Sequence, residues 1–330
     1  MWYRSPKEDA ARESTVVPQR TFADDQKQRG TYMAQHSRRD FLKSALVTTG
    51  AVAAGGSILP LKAATRSATD WVTLGNSGVK VTRLAFGTGT FGGRVQRELG
   101  QEEFTRLVRH AYDRGIRFFE TADAYSGMQV MLGNALKGIP RDSYKLMTKF
   151  RLMNADKARE TIDRQRAELQ TEYFDILLMH CVRTADWPEK FKKLGDEFSE
   201  AKVKKVIMAH GASCHGLLPL RAFPSSNWLD VALMRVNHNG TRMDTLINRE
   251  NDEKGDVNEV TTHISEIHSK GIGVLGMKIM GESQFKTPED RDASVRIDMK
   301  LGTVDAVTIG FKNTGEIDEA IQRMNTHLNT

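Results

Sequence analysis

The stretch "FFETADAYSG", residues 118–127, decides the fold because an apolar run ends there in a group of reactive side chains. A run of this kind, followed by turn-forming residues, is typical of a strand buried on both faces. Glu120, Asp123 and Tyr125 follow it within six positions. Functional groups of parallel sheets lie at the carboxyl ends of the strands, so this stretch predicts a site at such an end.

From Trp71 onward the chain repeats this arrangement, because short β-branched runs alternate with amphipathic segments, as in βα units. The predicted strands are 83–86, 117–121, 145–148, 174–179, 205–209, 231–236, 273–276 and 306–309. The predicted helices are 101–114, 128–137, 155–170, 188–200, 217–223, 257–270, 288–301 and 315–328. This count predicts an α/β fold, a (β/α)8 TIM barrel. "VTLGNSGVKVT", residues 72–82, predicts a β-hairpin ahead of it.

A competing fold is suggested by "GTGTFG", residues 87–92, which matches the dinucleotide fingerprint G-x-G-x-x-G. A Rossmann fold would open a helix within that loop, so that the helix N-terminus meets the pyrophosphate. Here "GRVQRELG", residues 93–100, intervenes before helical periodicity resumes near Gln101. The barrel is therefore the preferred interpretation.

Composition and charge exclude several classes of protein. The 330 residues are 39% hydrophobic, which allows a sizeable core, and the two cysteines are too few for a zinc knuckle. The net charge of +6 is concentrated at the start, since residues 1–68 hold 11 Lys and Arg against 6 Asp and Glu. The remainder is nearly neutral, so no nucleic-acid partner is expected.

The start of the chain predicts export. "SRRDFLKSALVTTGAVAAGGSILPL", residues 37–61, joins paired arginines to an apolar stretch, as in a twin-arginine signal. That stretch is shorter than the ~20 apolar residues of a membrane helix, so no stable span is expected. We expect residues 1–68 to be a disordered leader, with Met33 as an alternative start, and residues 69–330 to form the barrel. Cleavage between Leu61 and Thr69, the twin-arginine export machinery as a partner and a periplasmic location follow.

Titratable groups follow several predicted strands, where a barrel has its active site. Besides Glu120, Asp123 and Tyr125, they are Lys149, His180, Ser213, Cys214, Asn237 and His238. A phenol has a pKa of ~10, and a nearby ammonium is predicted to lower it by favouring the phenolate. Tyr125 would then protonate a carbonyl oxygen while His180 orients the substrate.

The chain resembles the aldo-keto reductases over residues 71–328. The motifs are "LGNSGVKVTRLAFGTGTFG", "GIRFFETADAYSG", "LMTKF", "YFDILLMH", "GASCHG", "GIGVLGMKIMGES" and "IGFKNTGEIDEAI". The resemblance implies a (β/α)8 reductase of small carbonyl substrates with a Tyr, Lys, His and Asp tetrad. Tyr125, Lys149 and His180 match it, whereas Glu120 stands at the aspartate position, which implies reduced or altered activity.

The resemblance also implies a cofactor, NADPH, with NAD as the alternative. Its implied contacts are Gly87, Thr88, Ser213, Cys214, Lys278, Lys312, Asn313 and Thr314. Cys214 replaces the family's asparagine and Leu233 its glutamine, so two contacts to the nicotinamide amide are missing. The last three residues precede a helix, whose N-terminus favours phosphate.

Two other functions stay open. His180, Cys181, Cys214, His215 and His238, together with the acids of residues 118–127, suit a divalent metal, but Lys149 would repel the ion and no metal is predicted. A non-catalytic ligand-binding barrel is the second alternative, motivated by Glu120, Cys214 and Leu233. Whether Cys181 and Cys214 form a disulfide is also left open.

Overall fold

The computed structural model describes residues 65–152, 155–246 and 254–330. Residues 1–64 of the predicted leader, with the twin-arginine signal and the alternative start, lie outside the described residues, as does the first part of the predicted cleavage interval, residues 61–64. Every predicted strand and helix is confirmed within a few residues. No helix within these ranges has the length and hydrophobicity needed to cross a membrane.

Eight parallel strands close into a barrel in chain order, with the last strand paired to the first. They are β3 (Leu84–Gly87), β4 (Phe118–Glu120), β5 (Lys145–Arg151), β6 (Phe174–Val182), β7 (Ile207–Cys214), β8 (Val231–Arg235), β9 (Gly273–Met277) and β10 (Ala306–Gly310). The (β/α)8 prediction is therefore confirmed, and the Rossmann fold is excluded. Strand β7 continues five residues beyond its predicted end at Ala209.

Helices surround the barrel and follow its strands. They are α1 (Arg94–Arg97), α2 (Gly100–Asp113), α3 (Met128–Leu136), α4 (Ala158–Glu168), α5 (Trp187–Lys190), α6 (Lys192–Val203), α7 (Leu217–Ala222), α8 (Val257–Ser269), α9 (Pro288–Lys300) and α10 (Thr314–Leu328). Short helix α1 was not predicted. It follows the "GTGTFG" loop, whose last residues Phe91 and Gly92 adopt positive φ.

Side-chain alternation along the strands separates an apolar interior from a polar mouth. Phe118 lies in the inner core, and Glu120, two residues later on the same face, lies at the carboxyl end. Met147 and Lys149 of β5 repeat this relation. On both strands, the inward-facing side chains thus change from apolar core to charged candidate site within two residues.

The amino-terminal end of the barrel is closed by the predicted hairpin, β1 (Trp71–Thr73) and β2 (Lys80–Thr82), which pair antiparallel. Leu74 and Val81 are fully buried in the same cluster as the inward-facing barrel residues. At the turn, the Asn76 amide donates to the Gly271 carbonyl ahead of β9. The hairpin therefore leaves the carboxyl end as the open side of the barrel.

Residues just before the hairpin contact helix α10. The Arg66 and Ala68 amides donate to the side-chain oxygens of Asn329 and Asn325, at 2.8 and 2.7 Å. Ala68 is fully buried. Ordered packing thus begins at least three residues before the predicted domain boundary at 69.

Candidate active site

Lys149 occupies the centre of the barrel mouth with Glu120 and Tyr125 around it. Its Nζ forms a close ion pair with the Glu120 carboxylate, and both side chains are almost completely buried. The ammonium also donates to the Thr121 carbonyl at 2.9 Å and to the Tyr125 hydroxyl at 3.3 Å. The other Glu120 oxygen accepts a hydrogen bond from Thr308 at 3.1 Å. The longer glutamate therefore reaches the lysine directly.

The direction of the Tyr125 pKa differs from the prediction. Packed residues exclude water from the phenol, and Glu120, Cys181 and Glu282 add negative charge, so its pKa is raised well above 10. The predicted lowering by Lys149 was wrong because burial of the phenol disfavours the phenolate, and Glu120 adds negative charge beside the hydroxyl. The Tyr125 hydroxyl is consequently protonated and neutral at physiological pH.

His180 lies against Tyr125, with ring centroids 5.5 Å apart in an edge-to-face arrangement. Burial is the main cause that holds the pKa of His180 well below 6.5, and the nearby charge of Lys149 adds to it. The imidazole is therefore neutral at physiological pH, with one nitrogen to donate and one to accept. All four predicted tetrad positions, Glu120 included, thus meet through an ion pair, a hydrogen bond and a ring contact.

Other predicted strand-end residues serve the protein's own structure. The Asp123 carboxylate accepts from the Arg151 amide at 3.0 Å, which terminates β5. Asn237 donates to the Thr241 carbonyl at 2.7 Å. The His238 ring lies 3.4 Å from the Asp290 carboxylate and packs on Phe285, away from Tyr125. These residues do not join the Tyr125 group.

A cleft of about 590 Å³ opens beside Tyr125, Lys149 and Glu120. Glycines line it because a side chain would fill it: a Cβ on Gly89 would lie 2.7 Å from the Tyr125 hydroxyl. A Cβ on Gly310 would meet the Thr90 hydroxyl at 2.4 Å. Gly87 lines the same cleft, whereas neighbouring Thr88 is buried below it.

The cleft continues into a second cavity of about 940 Å³, since both share the lining residues Thr90, Met280, Ser283, Ile309 and Gly310. The second cavity is lined by four cations and two acids: Lys286, Arg291, Lys312, Arg323, Glu316 and Glu319. An elongated, net-positive groove that starts at Tyr125 fits a dinucleotide phosphate in shape and charge.

The predicted phosphate contacts at α10 are partly engaged already. Asn313 caps the helix by accepting from the Glu316 amide at 3.0 Å. The Glu316 carboxylate in turn accepts from the Lys312 amide at 2.9 Å and lies 3.7 Å from the Lys312 ammonium. Thr314 is exposed as the first helical residue. A phosphate bound here would compete with the Glu316 carboxylate for the amide and the ammonium of Lys312. Lys278 lines the cleft and pairs with Glu282 at 2.8 Å.

The predicted contacts to the nicotinamide amide are the weakest part of the site. The Ser213 hydroxyl already accepts a hydrogen bond from the Cys181 amide at 2.8 Å. Cys214 is fully buried, its thiol donates to the Gly216 carbonyl, and burial raises its pKa well above 9. Leu233 lines the cleft with an apolar side chain. Shape and charge therefore fit the cofactor, whereas two amide contacts are missing.

Sequence reasoning missed a polar group on the far side of His180. Cys181, at the end of β6, lies 3.4 Å from the His215 ring, and His215 contacts the buried guanidinium of Arg235 on β8. His180, Cys181 and His215 bring three ligating atoms within 4.8 Å of one another. They were named among possible metal ligands, but Cys214 and His238 of that set lie elsewhere. Cys181 and Cys214 are not joined by a disulfide.

Comparison with known proteins agrees with this geometry. Residues 83–329 match the aldo/keto reductase family, and residues 35–55 match the twin-arginine translocation pathway signal sequence. A probable aldo-keto reductase of Glycine max is 26% identical over 46% of this chain and 49% of its own length. L-galactose dehydrogenase of Arabidopsis thaliana is 36% identical over 33% of this chain and 36% of its own. The chain therefore spans half or less of these relatives.

Solved structures agree on the fold. A putative aldo-keto reductase of Pseudomonas aeruginosa superposes with a TM-score of 0.64 at 20% identity, over 79% of this chain and 97% of its own. An aldo-keto reductase of Klebsiella pneumoniae in complex with NADPH gives 0.57 at 14% identity, over 78% and 89%. Since the family match covers well over half of the sequence and the barrel agrees with it, the chain belongs to the aldo/keto reductase family and carries a twin-arginine signal sequence.

Proposed function

We propose that this protein is an exported, NADPH-dependent reductase of aldehydes and ketones in which Tyr125 is the general acid. The observation that carries this proposal is a protonated tyrosine hydroxyl, bound to a buried ammonium, at the wall of a glycine-lined cleft. The solved Klebsiella pneumoniae relative in complex with NADPH supports the cofactor, with NADH as the alternative.

The proton donor is prepared by its surroundings. Because the pKa of Tyr125 is raised, its hydroxyl keeps the proton until a carbonyl oxygen accepts it. The Lys149 ammonium lies 3.3 Å from the Tyr125 oxygen and then stabilises the phenolate that remains. Glu120 and Thr121 hold the ammonium in position, since both accept from it.

Substrate positioning falls to His180. Its neutral ring lies edge-to-face against Tyr125, so an N–H group is available to donate to the same carbonyl oxygen. A carbonyl with two donors on its oxygen is polarised toward attack at carbon. His180 thus orients the substrate and Tyr125 protonates it.

The cofactor, when bound, supplies a hydride to the carbonyl carbon. Gly87, Gly89 and Gly310 would allow it to approach Tyr125 closely. Lys278 and the cations of the second cavity would bind its phosphates. Ser213 is the one predicted amide contact that keeps a hydroxyl, so affinity for the nicotinamide end is expected to be weak.

Processing and location complete the proposal. We infer that the leader is removed before Arg66, because Arg66 and Ala68 bond to α10 in the folded barrel. The mature protein is then periplasmic and contains the barrel with its hairpin. Mass spectrometry of the protein recovered from the exported fraction tests this: an amino terminus beyond Arg66 contradicts it.

A titration with NADPH and NADH, followed by aldehyde-dependent loss of nicotinamide absorbance, tests the activity. Binding and turnover are expected, with Tyr125→Phe binding the cofactor and failing to turn over. The apolar Leu233 and buried Cys214 favour a second candidate, a non-catalytic binder of small ligands. Absence of cofactor binding at millimolar concentration would support that second function.

A further inference from the structure

Two adjacent residues at the end of β6 both face the barrel mouth, which a regular strand does not allow. Pairing of β6 with β7 shifts between Met179 and Val182, and Cys181 adopts a left-handed backbone with φ of 62°. A bulge of this kind redirects a side chain, and the conformation is unfavourable for a non-glycine residue. The result places the Cys181 thiol beside His180 and His215.

The contact with Arg235 decides which nitrogen of His215 carries the proton. A guanidinium has donors only, so Arg235, in contact with Nδ1, makes that nitrogen the acceptor. The proton of the neutral imidazole therefore resides on Nε2. Nε2 lies 3.4 Å from the Cys181 sulfur and donates to it.

This tautomer argues against a metal ion in the cluster. A metal needs the lone pair of Nε2, with Nδ1–H donating to a carboxylate or carbonyl. His215 has the reverse arrangement, with a cation on Nδ1. A hydrogen-bond donor aimed at sulfur instead favours the thiolate, which is the nucleophilic form of cysteine.

The charges around the cluster act in the same direction. Lys149, Arg151 and Lys278 are close enough to His180 to disfavour its protonated form, and the same positive field stabilises a thiolate beside it. Glu120 and Glu282 oppose this effect, but each is paired with a lysine.

The second cysteine provides an internal contrast. Cys214 ends the neighbouring strand β7, yet its sulfur is fully buried and donates to a carbonyl. Cys181 is partly exposed and accepts from an imidazole. One chain thus holds an inert thiol and an activated thiol at equivalent places in the fold.

We propose that Cys181 is a nucleophilic site for covalent modification by α,β-unsaturated aldehydes and ketones. The thiolate forms a bond to the β-carbon, the carbon–carbon π bond breaks, and its electron pair moves to the carbonyl oxygen as an enolate. Tyr125 donates its proton to that oxygen to give the enol. The α-carbon then gains a proton from water, and the oxygen returns its proton to Tyr125 as the carbonyl re-forms. The product is a thioether, and no oxidant or reductant is consumed.

The adduct occupies the carbonyl position next to His180 and blocks turnover. The choice of unsaturated carbonyls as the electrophile rests on the proposed carbonyl site at Tyr125 and His180. The nucleophilicity of Cys181 depends on its contact with His215 and on the nearby positive charges, whichever substrate the barrel accepts. The experiments separate the two parts.

The first experiment treats the folded full-length protein at pH 7 with iodoacetamide and measures labelling of each cysteine by peptide mass spectrometry. Cys181 is expected to react about tenfold faster than the same residue in guanidinium-unfolded protein, because more of it is thiolate. Cys214 is expected to stay unlabelled. A folded rate for Cys181 at or below the unfolded rate would overturn the proposal.

Variants test the role of His215 as a positioning residue. His215→Phe removes the donor and keeps a ring, so labelling of Cys181 is expected to fall about tenfold. His263→Phe, on the outer helix α8, is the matched control and is expected to label like the unmodified protein. If His215→Phe does not fold, the labelling rates of Cys181 and Cys214 in the unmodified protein still show whether Cys181 is the more reactive thiol. Stoichiometric protection of Cys181 by Zn²⁺ would overturn the proposal in favour of a metal site.

The second experiment compares acrolein with propanal, which lacks the conjugated double bond. Acrolein is expected to form one adduct on Cys181 and to abolish NADPH-dependent turnover. Once propanal has been removed, the protein is expected to carry no adduct and to keep its full turnover rate. Cys181→Ser is expected to prevent the adduct and the inactivation. If an adduct forms on a protein that showed no turnover before treatment, the proposed function is contradicted and the nucleophilicity of Cys181 is supported. Turnover with no adduct would contradict the thiol.

Discussion

The two halves of the barrel mouth carry different kinds of side chain. On the half formed by β4 to β6, Glu120, Lys149 and Tyr125 form one connected group around a buried ammonium. On the half formed by β7 and β8, Cys214 and Leu233 present no polar group to the cleft. One half thus keeps the proposed catalytic residues in contact with one another, whereas the other lacks two of the polar side chains expected to hold a nicotinamide amide.

The largest effect is expected for Tyr125→Phe, on the half that retains its chemistry. Removing the proton donor should lower kcat/KM for an aldehyde by about 10³-fold. The melting temperature should change little, because the lost hydroxyl makes one hydrogen bond, at 3.3 Å, to Lys149. Steady-state kinetics and circular dichroism measure the two quantities. Tyr112→Phe, a surface hydroxyl that bonds Ser143, is the control.

Breaking the ion pair is expected to affect stability. Glu120→Gln leaves the Lys149 ammonium buried without its counter-charge, which should lower the free energy of unfolding by about 3 kcal/mol. Glu120→Asp, which keeps the charge with a shorter reach, should cost less. Urea denaturation gives both values. Equal stability of Glu120→Gln and the unmodified protein would mean that the Glu120–Lys149 ion pair does not stabilise the fold.

The opposite half is tested by restoring a polar contact. Leu233→Gln places an amide in the cleft, and one added hydrogen bond should tighten NADPH binding about tenfold. Leu233→Met, which keeps the apolar character and volume, should leave the dissociation constant unchanged. Fluorescence titration measures both. Unchanged affinity in the glutamine variant would show that this half of the mouth does not face the nicotinamide.

The smallest effect concerns pH. The pKa of folded His180 lies well below 6.5, its unfolded value, so the unfolded chain binds the extra proton first as pH falls. Its contribution to stability is complete above pH 6.5 and should decline by about 1 kcal/mol near pH 5.5. Denaturation of the unmodified protein and of His180→Gln at both pH values isolates this difference. The same pH slope in both would assign it to another group.

Sequence alone was sufficient for the barrel because strand ends and amphipathic segments alternate regularly, and for the proximity of Tyr125, Lys149 and His180 because parallel strands bring their ends together. It underestimated β7, whose last residues, 210–214, are small or polar instead of β-branched. It predicted the wrong direction for the Tyr125 pKa because burial of the phenol, the main cause of the raised pKa, arises only from packing in the folded barrel. The Cys181, His215 and Arg235 group required a bulge and three strands, which no spacing reveals.

The contacts of Arg66 and Ala68 with Asn329 and Asn325 connect the region next to the export signal to the helix that is synthesised after every barrel strand. A chain interrupted before α10 has no partners for these amides, and Ala68 loses its cover. These two contacts can therefore form only after α10 has been synthesised and has packed against the residues ahead of the hairpin.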